Sequence, residues 1–313
     1  MITDEPDDRR GFLKCMAWAG TGALFAFNGG LVSSIGLDSA MAAPVRHAAS
    51  KPFTFVQLSD SHIGFNKPPN ADARATFREA IAKVKALPVQ PDFIIHTGDV
   101  SQLSRDEEFD DAEQMLKEAG LPVFFVPGEH DMLDPDVGKA FLNHFGKGTM
   151  GSGWYSFDHR GVHFVALVNV ADLKPGGMGN LGPEQLKWLK ADLAGRHSST
   201  PIVVFAHIPL WTVYADWGWG TDDAAEALKL LARFGSVTVL NGHIHQITQK
   251  VEGHIAFHTA RSTAFPQPAP GTAPSPGPLK VPPERLHEML GITEAMFVRG
   301  HDRIALIDST LVA

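Results

Sequence analysis

The chain of 313 residues contains a single cysteine, Cys15, which lies close to the amino end. The rest of the sequence therefore offers neither a disulfide nor a thiolate for a metal site. Basic surface is also scarce, because the formal net charge is -8 and Lys and Arg never gather into a run with interleaved aromatic residues. This charge balance disfavours bulk binding of nucleic acid.

Internal repeats are absent as well, so the sequence does not predict a repeat array. With 44% hydrophobic residues, the chain has enough apolar material for one substantial core. We expect a single catalytic-sized domain, residues 43–313, behind a removable amino-terminal segment. Within this domain, residues 265–283 are too rich in Pro, Gly and Ala to pack as a helix or strand, and we expect a loop there.

The amino-terminal residues resemble an export signal. Asp8-Arg9-Arg10-Gly11-Phe12-Leu13-Lys14 is similar to the twin-arginine motif, and a weakly apolar stretch rich in Gly and Ala follows it. Ala40-Met41-Ala42 then provides a small-x-small cleavage sequence. We expect cleavage after Ala42, so that residues 1–42 form a signal peptide whose partner is the twin-arginine translocation machinery.

A membrane anchor is the alternative interpretation of the same segment. Its Gly, Asn and Ser residues between positions 20 and 34 make a poor bilayer span, so we expect no stable anchor after processing. The mature protein is then expected to be periplasmic or secreted. Because twin-arginine export carries folded proteins, a metal ion can be loaded in the cytoplasm first.

Short apolar runs alternate with helical periodicity along the mature chain, which predicts a sheet covered by helices. The predicted strands are Phe53 to Leu58, Phe93 to Ile95, Val123 to Val126, Ile202 to Phe205 and Val237 to Leu240. The predicted helices between and after them are Ala71 to Leu87, Glu107 to Ala119, Pro183 to Leu193 and Asp222 to Phe234.

These five strands each end, within a few residues, in side chains that bind metal ions. The side chains are Asp60 and His62, Asp99, Glu129 and His130, His207, and His243 and His245. In an open α/β sheet, ligands bind at the carboxyl ends of the strands, so we expect these groups to converge although they lie far apart in sequence. A set of Asp, Glu and His without Cys suits Mn, Fe or Zn.

The same residues also match a known order. Asp60-x-His62, Gly98-Asp99, Gly128-x-His130-Asp131, His207 and Gly242-His243-x-His245 resemble the signature of the calcineurin-like metallophosphoesterases. The resemblance covers the chain from Asp60 to His245. It implies a four-layer αββα sandwich, an α/β fold of two mixed β-sheets flanked by helices, with a site for two metal ions.

The resemblance also implies roles for individual residues. The implied ligands are Asp60, His62 and His245 for the first ion and His207 and His243 for the second. Asp99 is implied to bridge the two, since one carboxylate can be shared by cations about 3.5–4 Å apart. Water made acidic by the metals is implied to attack phosphorus. His130 would stabilise the transition state or protonate the leaving group, with Asp131 holding its ring.

Position 129 departs from the family pattern, which has Asn where this chain has Glu129. With two divalent ions, the carboxylates of Asp60, Asp99 and Glu129 leave a formal site charge of +1, against +2 with Asn. A trivalent iron would restore the charge, a monoanionic diester would suit the lower charge, and a weakly bound second ion would leave a one-metal site. We expect Glu129 to be a ligand and the protein to be an active enzyme.

The leading functional prediction is a metal-dependent phosphoester hydrolase that acts on small phosphomonoesters or phosphodiesters. The alternative among enzymes is a phosphodiesterase for cyclic nucleotides or glycerophosphodiesters. The alternative outside enzymes is a catalytically weak periplasmic binding or sensing module that kept the metal cage. The loop Trp211 to Trp219 follows His207, and it either lines the mouth of the site or packs as a lid without touching substrate.

Overall fold

The computed structural model describes residues 52–298 and 304–312, together with the backbone of 23–28 and 31–36. The chain divides into two units, Met1–Ser50 and Lys51–Ala313. In the first unit, strand β1 (Ala23–Asn28) pairs antiparallel with β2 (Leu31–Gly36). The twin-arginine motif, the cleavage sequence and the expected boundary after residue 42 lie outside the described residues.

The second unit contains a mixed sheet of five strands in the order β13-β12-β3-β4-β5. These strands are β3 (Phe53–Leu58), β4 (Phe93–His96), β5 (Val123–Phe125), β12 (Gly291–Phe297) and β13 (Ala305–Thr310). Strands β3, β4 and β5 run parallel, whereas β12 joins β3 antiparallel. The carboxyl ends of three consecutive strands therefore lie at one edge.

A second mixed sheet has six strands in the order β10-β11-β9-β8-β7-β6. They are β6 (Tyr155–His159), β7 (Val162–Ala166), β8 (Ile202–Phe205), β9 (Val237–Asn241), β10 (Gln249–Glu252) and β11 (Ile255–Thr259). Strands β7, β8, β9 and β11 are parallel, and β6 and β10 are antiparallel to their neighbours.

Six α-helices accompany the two sheets within the described residues. They are α1 (Ala73–Lys85), α2 (Asp106–Lys117), α3 (Lys139–Phe145), α4 (Gly182–Ala194), α5 (Ala224–Leu231) and α6 (Pro283–Met289). None of the described helices is both long enough and apolar enough to cross a membrane. The stretch from Phe265 to α6 forms neither helix nor strand, as its composition predicts.

Three apolar clusters separate the layers of the second unit. Phe77 of α1, Phe109 of α2 and Phe141 of α3 lie in one cluster with the outer face of the five-stranded sheet. Leu189 of α4 and Leu231 of α5 lie in another with the outer face of the six-stranded sheet. The helices therefore cover the two outer faces.

The third cluster lies between the sheets and consists largely of Phe side chains. Phe55 and Phe93 of the five-stranded sheet contact Phe164 of the other sheet edge to face, with ring centroids 5.5 and 5.4 Å apart. Neighbouring residues along a strand point to opposite faces, so Val203 of β8 joins this cluster while Val204 packs against the helices. This arrangement confirms the four-layer αββα sandwich.

Candidate metal centre

The loops after β3, β4, β5, β8 and β9 bring the predicted metal ligands together. The first group of mutually close ligand atoms comes from Asp60, His62, Asp99 and His245, and the second from Glu129, His207 and His243. Within each group, the ligand atoms all lie within 4.8 Å of one another. The convergence expected from the strand ends is therefore present, and it joins both sheets.

The backbone of these loops is unusual at the ligand positions. Asp60, His62, Asp99, His243 and His245 all have positive φ, between 40° and 70°. This left-handed region costs an ordinary residue about 1–2 kcal/mol, and such residues cluster at functional sites. The loops hold each other in place, since the Asp60 N–H donates to the carbonyl oxygen of Gly98 at 3.0 Å.

Gly128 allows the loop after β5 to pack against the loop after β4. A Cβ atom at this position would lie 2.1 Å from Oδ1 of Asp99 and 2.4 Å from its backbone nitrogen. Because Gly128 has no side chain, the residues that follow it can approach Asp99 closely. The His130 N–H donates to Asp99 Oδ1 at 2.9 Å, which fixes one oxygen of this carboxylate.

The first cluster presents its imidazoles to two carboxylates. His245 Nε2 lies 3.2 Å from Asp60 Oδ1, and His62 Nε2 lies 3.4 Å from Asp99 Oδ2. The two Nε2 atoms, of His62 and His245, are only 3.3 Å apart. Two ring nitrogens face each other in this way when they share a proton or a cation, and the adjoining carboxylate oxygens favour a cation.

The second cluster is built around Glu129. Its carboxylate reaches both histidines, with Oε2 2.9 Å from His207 Nε2 and Oε1 2.9 Å from His243 Nδ1. Asp99 Oδ2 lies 3.4 Å from His207 Nε2, the same distance that separates it from His62 Nε2 in the first cluster. Asp99 therefore stands between the two clusters, in the position that a bridging ligand requires.

Main-chain carbonyl groups orient two of the histidines. His207 Nδ1 donates to the carbonyl oxygen of Thr97 at 2.7 Å, and His245 Nδ1 donates to that of Phe265 at 2.6 Å. Both hydrogen bonds leave Nε2 as the nitrogen that faces the carboxylates, an arrangement common around metal-binding histidines. These partners could not be found in the sequence, because every residue carries a carbonyl group.

The pKa shifts of Glu129 and His62 favour the protonation states that bind metal ions. By contrast, burial of His207 is outweighed by Asp99 and Glu129, which raise its pKa well above its usual value. Burial raises the pKa of Glu129, but His243 and His207 outweigh burial and hold that pKa well below its usual value. Burial lowers the pKa of His62 to about 3, with Asp99 opposing the shift. A charged carboxylate and a neutral imidazole are the forms that bind cations. The oxygen and nitrogen donors, without sulfur, therefore fit two ions of the Mn, Fe or Zn type.

His130 and Asp131 lie beside the clusters but do not form the expected pair. The ring of His130 donates from Nδ1 to the carbonyl oxygen of Gln102 at 2.8 Å. The carboxylate of Asp131 instead accepts hydrogen bonds from the N–H groups of Val100, Ser101 and Gly128 and from the Ser101 hydroxyl. The expectation that Asp131 holds the imidazole is therefore wrong, because this buried carboxylate ties the loops after β4 and β5 together.

A cavity of about 340 Å³ opens onto both clusters and His130. Trp217 and Trp219 line it, so the loop after His207 reaches the mouth of the site, whereas Trp211 packs against Phe257. Phe265 and Gln267 also line the cavity, so the Pro-rich loop forms part of the cavity wall. A larger cavity of about 470 Å³, beside Trp154 and Asp223, contains none of the clustered residues.

The fold and the paired clusters together define the class of a dimetal phosphoesterase. The family model of the calcineurin-like phosphoesterases matches residues 53–247, which contain every clustered ligand. The chain belongs to the calcineurin-like phosphoesterase family. Its class of reaction is the metal-dependent hydrolysis of phosphoesters, and its two clusters provide the candidate residues for the dimetal centre.

Several individual proteins are similar to this chain in sequence or in fold. A probable cyclic nucleotide phosphodiesterase of Psychrobacter sp. is 26% identical over 202 residues, which cover 61% of this chain and 57% of that protein. The 3′,5′-cyclic adenosine monophosphate phosphodiesterase of Haemophilus influenzae is 28% identical over 207 residues, covering 64% and 73%. A dimetal phosphatase from Danio rerio superposes with a TM-score of 0.63 at 15% identity, covering 83% and 96%, which shows a shared fold.

Proposed function

We propose that the protein hydrolyses small phosphodiesters in preference to phosphomonoesters. The observation that carries this proposal is the contact of the Glu129 carboxylate with both His207 and His243 at 2.9 Å. A carboxylate there, where the family pattern has a neutral amide, lowers the positive charge of the site by one unit. A phosphodiester carries one negative charge and a monoester close to two, so the lower charge favours the diester.

The residues that would hold the ions are the two clusters, with Asp99 shared between them. Bound ions supply Lewis acidity, which lowers the pKa of water and polarises the phosphoryl oxygens. His130 touches the same cavity with its Nδ1–H directed at Gln102, so its Nε2 is the nitrogen available to the substrate. We assign His130 the role of proton donor to the leaving oxygen, and Glu129 that of ligand to the second ion.

The test compares wild type with Glu129→Gln and Glu129→Asn on 4-nitrophenyl phosphate and bis(4-nitrophenyl) phosphate in the presence of Mn. We expect wild type to prefer the diester and both neutral variants to shift the ratio of kcat/KM toward the monoester. Glu129→Gln keeps the length of the side chain, so it isolates the effect of charge. Asp99→Ala should abolish both activities and serves as the inactive control.

Three results would contradict the proposal. An unchanged ratio in both variants would show that the charge of Glu129 does not select the substrate. Metal content below one ion per chain after reconstitution, measured by mass spectrometry, would remove Glu129 from the ligands. Absence of turnover with any metal ion would instead support the binding or sensing module.

We also propose that the protein is exported by the twin-arginine route. The support lies in the sequence Asp8 to Lys14, the Gly- and Ala-rich stretch after it and the small residues at Ala40 and Ala42. Fractionation of cells that express wild type and an Arg9→Lys/Arg10→Lys variant tests this route. Wild type should be found in the periplasm or medium and the variant in the cytoplasm, and equal distribution would contradict the proposal.

A further inference from the structure

The walls of the cavity carry no charge outside the metal centre. Every ionisable residue that lines the cavity belongs to the two clusters or is His130, among the residues that the structure describes. Phe65, Leu173 and Trp217 contribute apolar surface, and Gln102 and Gln267 contribute neutral amide groups, which both donate and accept hydrogen bonds. The volume of about 340 Å³ is typical of a small-molecule site.

Trp217 is held rigidly at this wall. It ends the short 3-10 helix Ala215–Trp217, and its ring meets Tyr214 and Trp219 edge to face, at centroid distances of 5.1 and 5.0 Å. Trp219 is fully buried and so anchors the loop. A fixed aromatic ring offers a stacking surface whose ordering is already complete before a ligand binds.

We propose that the cavity selects phosphodiesters whose second ester substituent, the one retained on phosphorus, is uncharged and flat, such as a heterocyclic base or an aromatic ring. Trp217 is the stacking residue and Gln267 the hydrogen-bonding residue of this subsite. The inference rests on the proposed diesterase function, because it concerns the group that lies beside the same metal centre.

The absence of charged side chains from the described cavity wall, outside the metal centre, disfavours an ester substituent that is itself charged. A second anionic group would meet no Lys or Arg in the described lining, and a cationic group would meet no carboxylate that is not already a metal ligand. Either group would lose water without gaining a partner, which is unfavourable. Aromatic rings attract cations, but metal ions bound in the same cavity would repel a cationic substituent.

The experiment uses the Mn-loaded protein and four diesters with one common leaving group, 4-nitrophenolate. The other substituent is methyl, thymidine through its 5′ oxygen, choline, or thymidine that carries an additional 3′-phosphate. Because the leaving group is constant, differences in kcat/KM report on the other substituent. We expect the plain thymidine ester to exceed the methyl and choline esters by about 10-fold or more, a typical effect of one stacked base. It should exceed the ester with the 3′-phosphate as well, because the added anionic group meets no cationic side chain in the described lining.

Substitutions in the cavity wall then test which residues cause the preference for the thymidine ester. Trp217→Leu should lower the ratio of kcat/KM for the thymidine and methyl esters about 10-fold, and Trp217→Phe should retain most of the ratio. Trp188→Leu is the matched control, since Trp188 of α4 packs against an apolar cluster and does not line the cavity, so the ratio should not change. Gln267→Lys should raise the relative kcat/KM for the ester that carries the 3′-phosphate.

The outcomes separate the two proposals. Failure of the wild-type protein to hydrolyse any of the four esters would contradict the diesterase function itself. Hydrolysis of all four with similar kcat/KM, or an equal loss for the thymidine and methyl esters in Trp217→Leu, would overturn the selectivity and leave the diesterase function intact.

Discussion

Thr97 contacts His207 through its carbonyl oxygen, which accepts the Nδ1–H of the imidazole at 2.7 Å. The hydroxyl of the same Thr97 donates to Ser59 Oγ at 2.7 Å, and Ser59 in turn donates to Asp60 Oδ2. Gln57 Nε2 donates to Thr97 Oγ1 at 3.0 Å. An amide N–H only donates and a carboxylate only accepts, so the direction of this buried chain is fixed. Thr97 thereby orients one ligand in each cluster.

Thr97→Val should therefore weaken metal binding. The substitution keeps the carbonyl group and the shape of the side chain but removes the hydroxyl that orients Ser59 and Asp60. Loss of such an outer hydrogen bond lowers metal affinity about 10- to 100-fold. Competition for Mn against a metal-sensitive dye measures the affinity without relying on turnover. Thr97→Ser, which retains the hydroxyl, should bind Mn nearly as tightly as wild type, and equal affinities in all three proteins would exclude this role.

Removal of metal should destabilise the folded protein. The two clusters of ligand atoms are assembled only when the loops of both sheets fold together, so metal ions that bind there stabilise the folded chain over the unfolded one. At a metal concentration of about 100 Kd the gain is about 2.7 kcal/mol, or a Tm increase of about 5 °C. Scanning calorimetry with chelator and with added Mn measures the shift. Asp99→Asn should show a smaller rise in Tm with Mn than wild type, because the residue that lies between the two clusters loses its carboxylate. Identical rises in the two proteins would contradict the role of Asp99 as a shared ligand.

His130→Ala should lower kcat about 100-fold on a diester with an alkyl leaving group, because an alkoxide needs a proton to leave and a positioned proton donor contributes on this scale. Metal content should remain at the wild-type level, because the variant keeps all seven residues of the two clusters, although His130 also lies close to Asp99 and Glu129. Stopped turnover together with lost metal would indicate instead that His130 is a ligand. Mass spectrometry of the purified variant distinguishes the two outcomes.

Asp131→Asn should act mainly on stability. The native carboxylate accepts from three backbone N–H groups and the Ser101 hydroxyl, whereas an amide would turn an NH₂ group toward some of these donors. We expect a loss of about 2 kcal/mol in the free energy of unfolding. Chemical denaturation measures this loss. A variant with wild-type stability but kcat as low as that of His130→Ala would restore the catalytic role that the family resemblance implied.

Asp192 should make stability depend on pH in the acid range. Burial raises the pKa of its carboxyl group, but the hydrogen bonds from His163 at 2.7 Å and from Ser156 outweigh burial and lower the pKa. A carboxyl group with a lower pKa in the folded chain stabilises the fold above about pH 4, and this contribution disappears as pH falls through the folded pKa.

Asp192→Asn should therefore be less stable than wild type at pH 6, by about 1 kcal/mol, and the difference should shrink below pH 4. Thermal unfolding at a series of pH values measures the difference. Asp158→Asn is the control, because Asp158 contacts the same His163 but is mostly exposed, and it should change Tm less. A difference between Asp192→Asn and wild type that does not shrink as pH falls below 4 would contradict this account.

The part of the site that could be predicted follows from the order of residues along the sequence. Apolar runs that end in Asp60, His62 or His243 predict both the strands and their polar ends, and the structure brings these ends together. The carbonyl groups of Thr97, Gln102 and Phe265, which accept hydrogen bonds from histidine rings, could not be predicted from the sequence. Their role depends only on the direction in which the backbone points. The role of Asp131 was misjudged for the same reason, as its partners are backbone N–H groups of the neighbouring loop.

The fold was predictable to a similar depth. The parallel order of β3, β4 and β5 follows from helices α1 and α2 between them, because parallel strands need such crossovers. The pairing of β12 with β3 was not predictable, since these strands lie more than 200 positions apart and both are apolar. The separation into two sheets came from the family resemblance, and the Phe-rich layer between them confirms it.

Five candidate metal ligands have a left-handed backbone, which places resistance to heat in conflict with turnover. Glycine adopts this conformation without penalty, so replacing Asp99 or His243 by Gly relieves an unfavourable backbone while it removes a ligand. When metal is absent, directed evolution that rewards only resistance to heat would then accumulate such changes at the positions that hydrolysis depends on. A selection for a more durable enzyme therefore has to keep metal present and to score turnover in every round, so that a ligand is not exchanged for a more relaxed backbone.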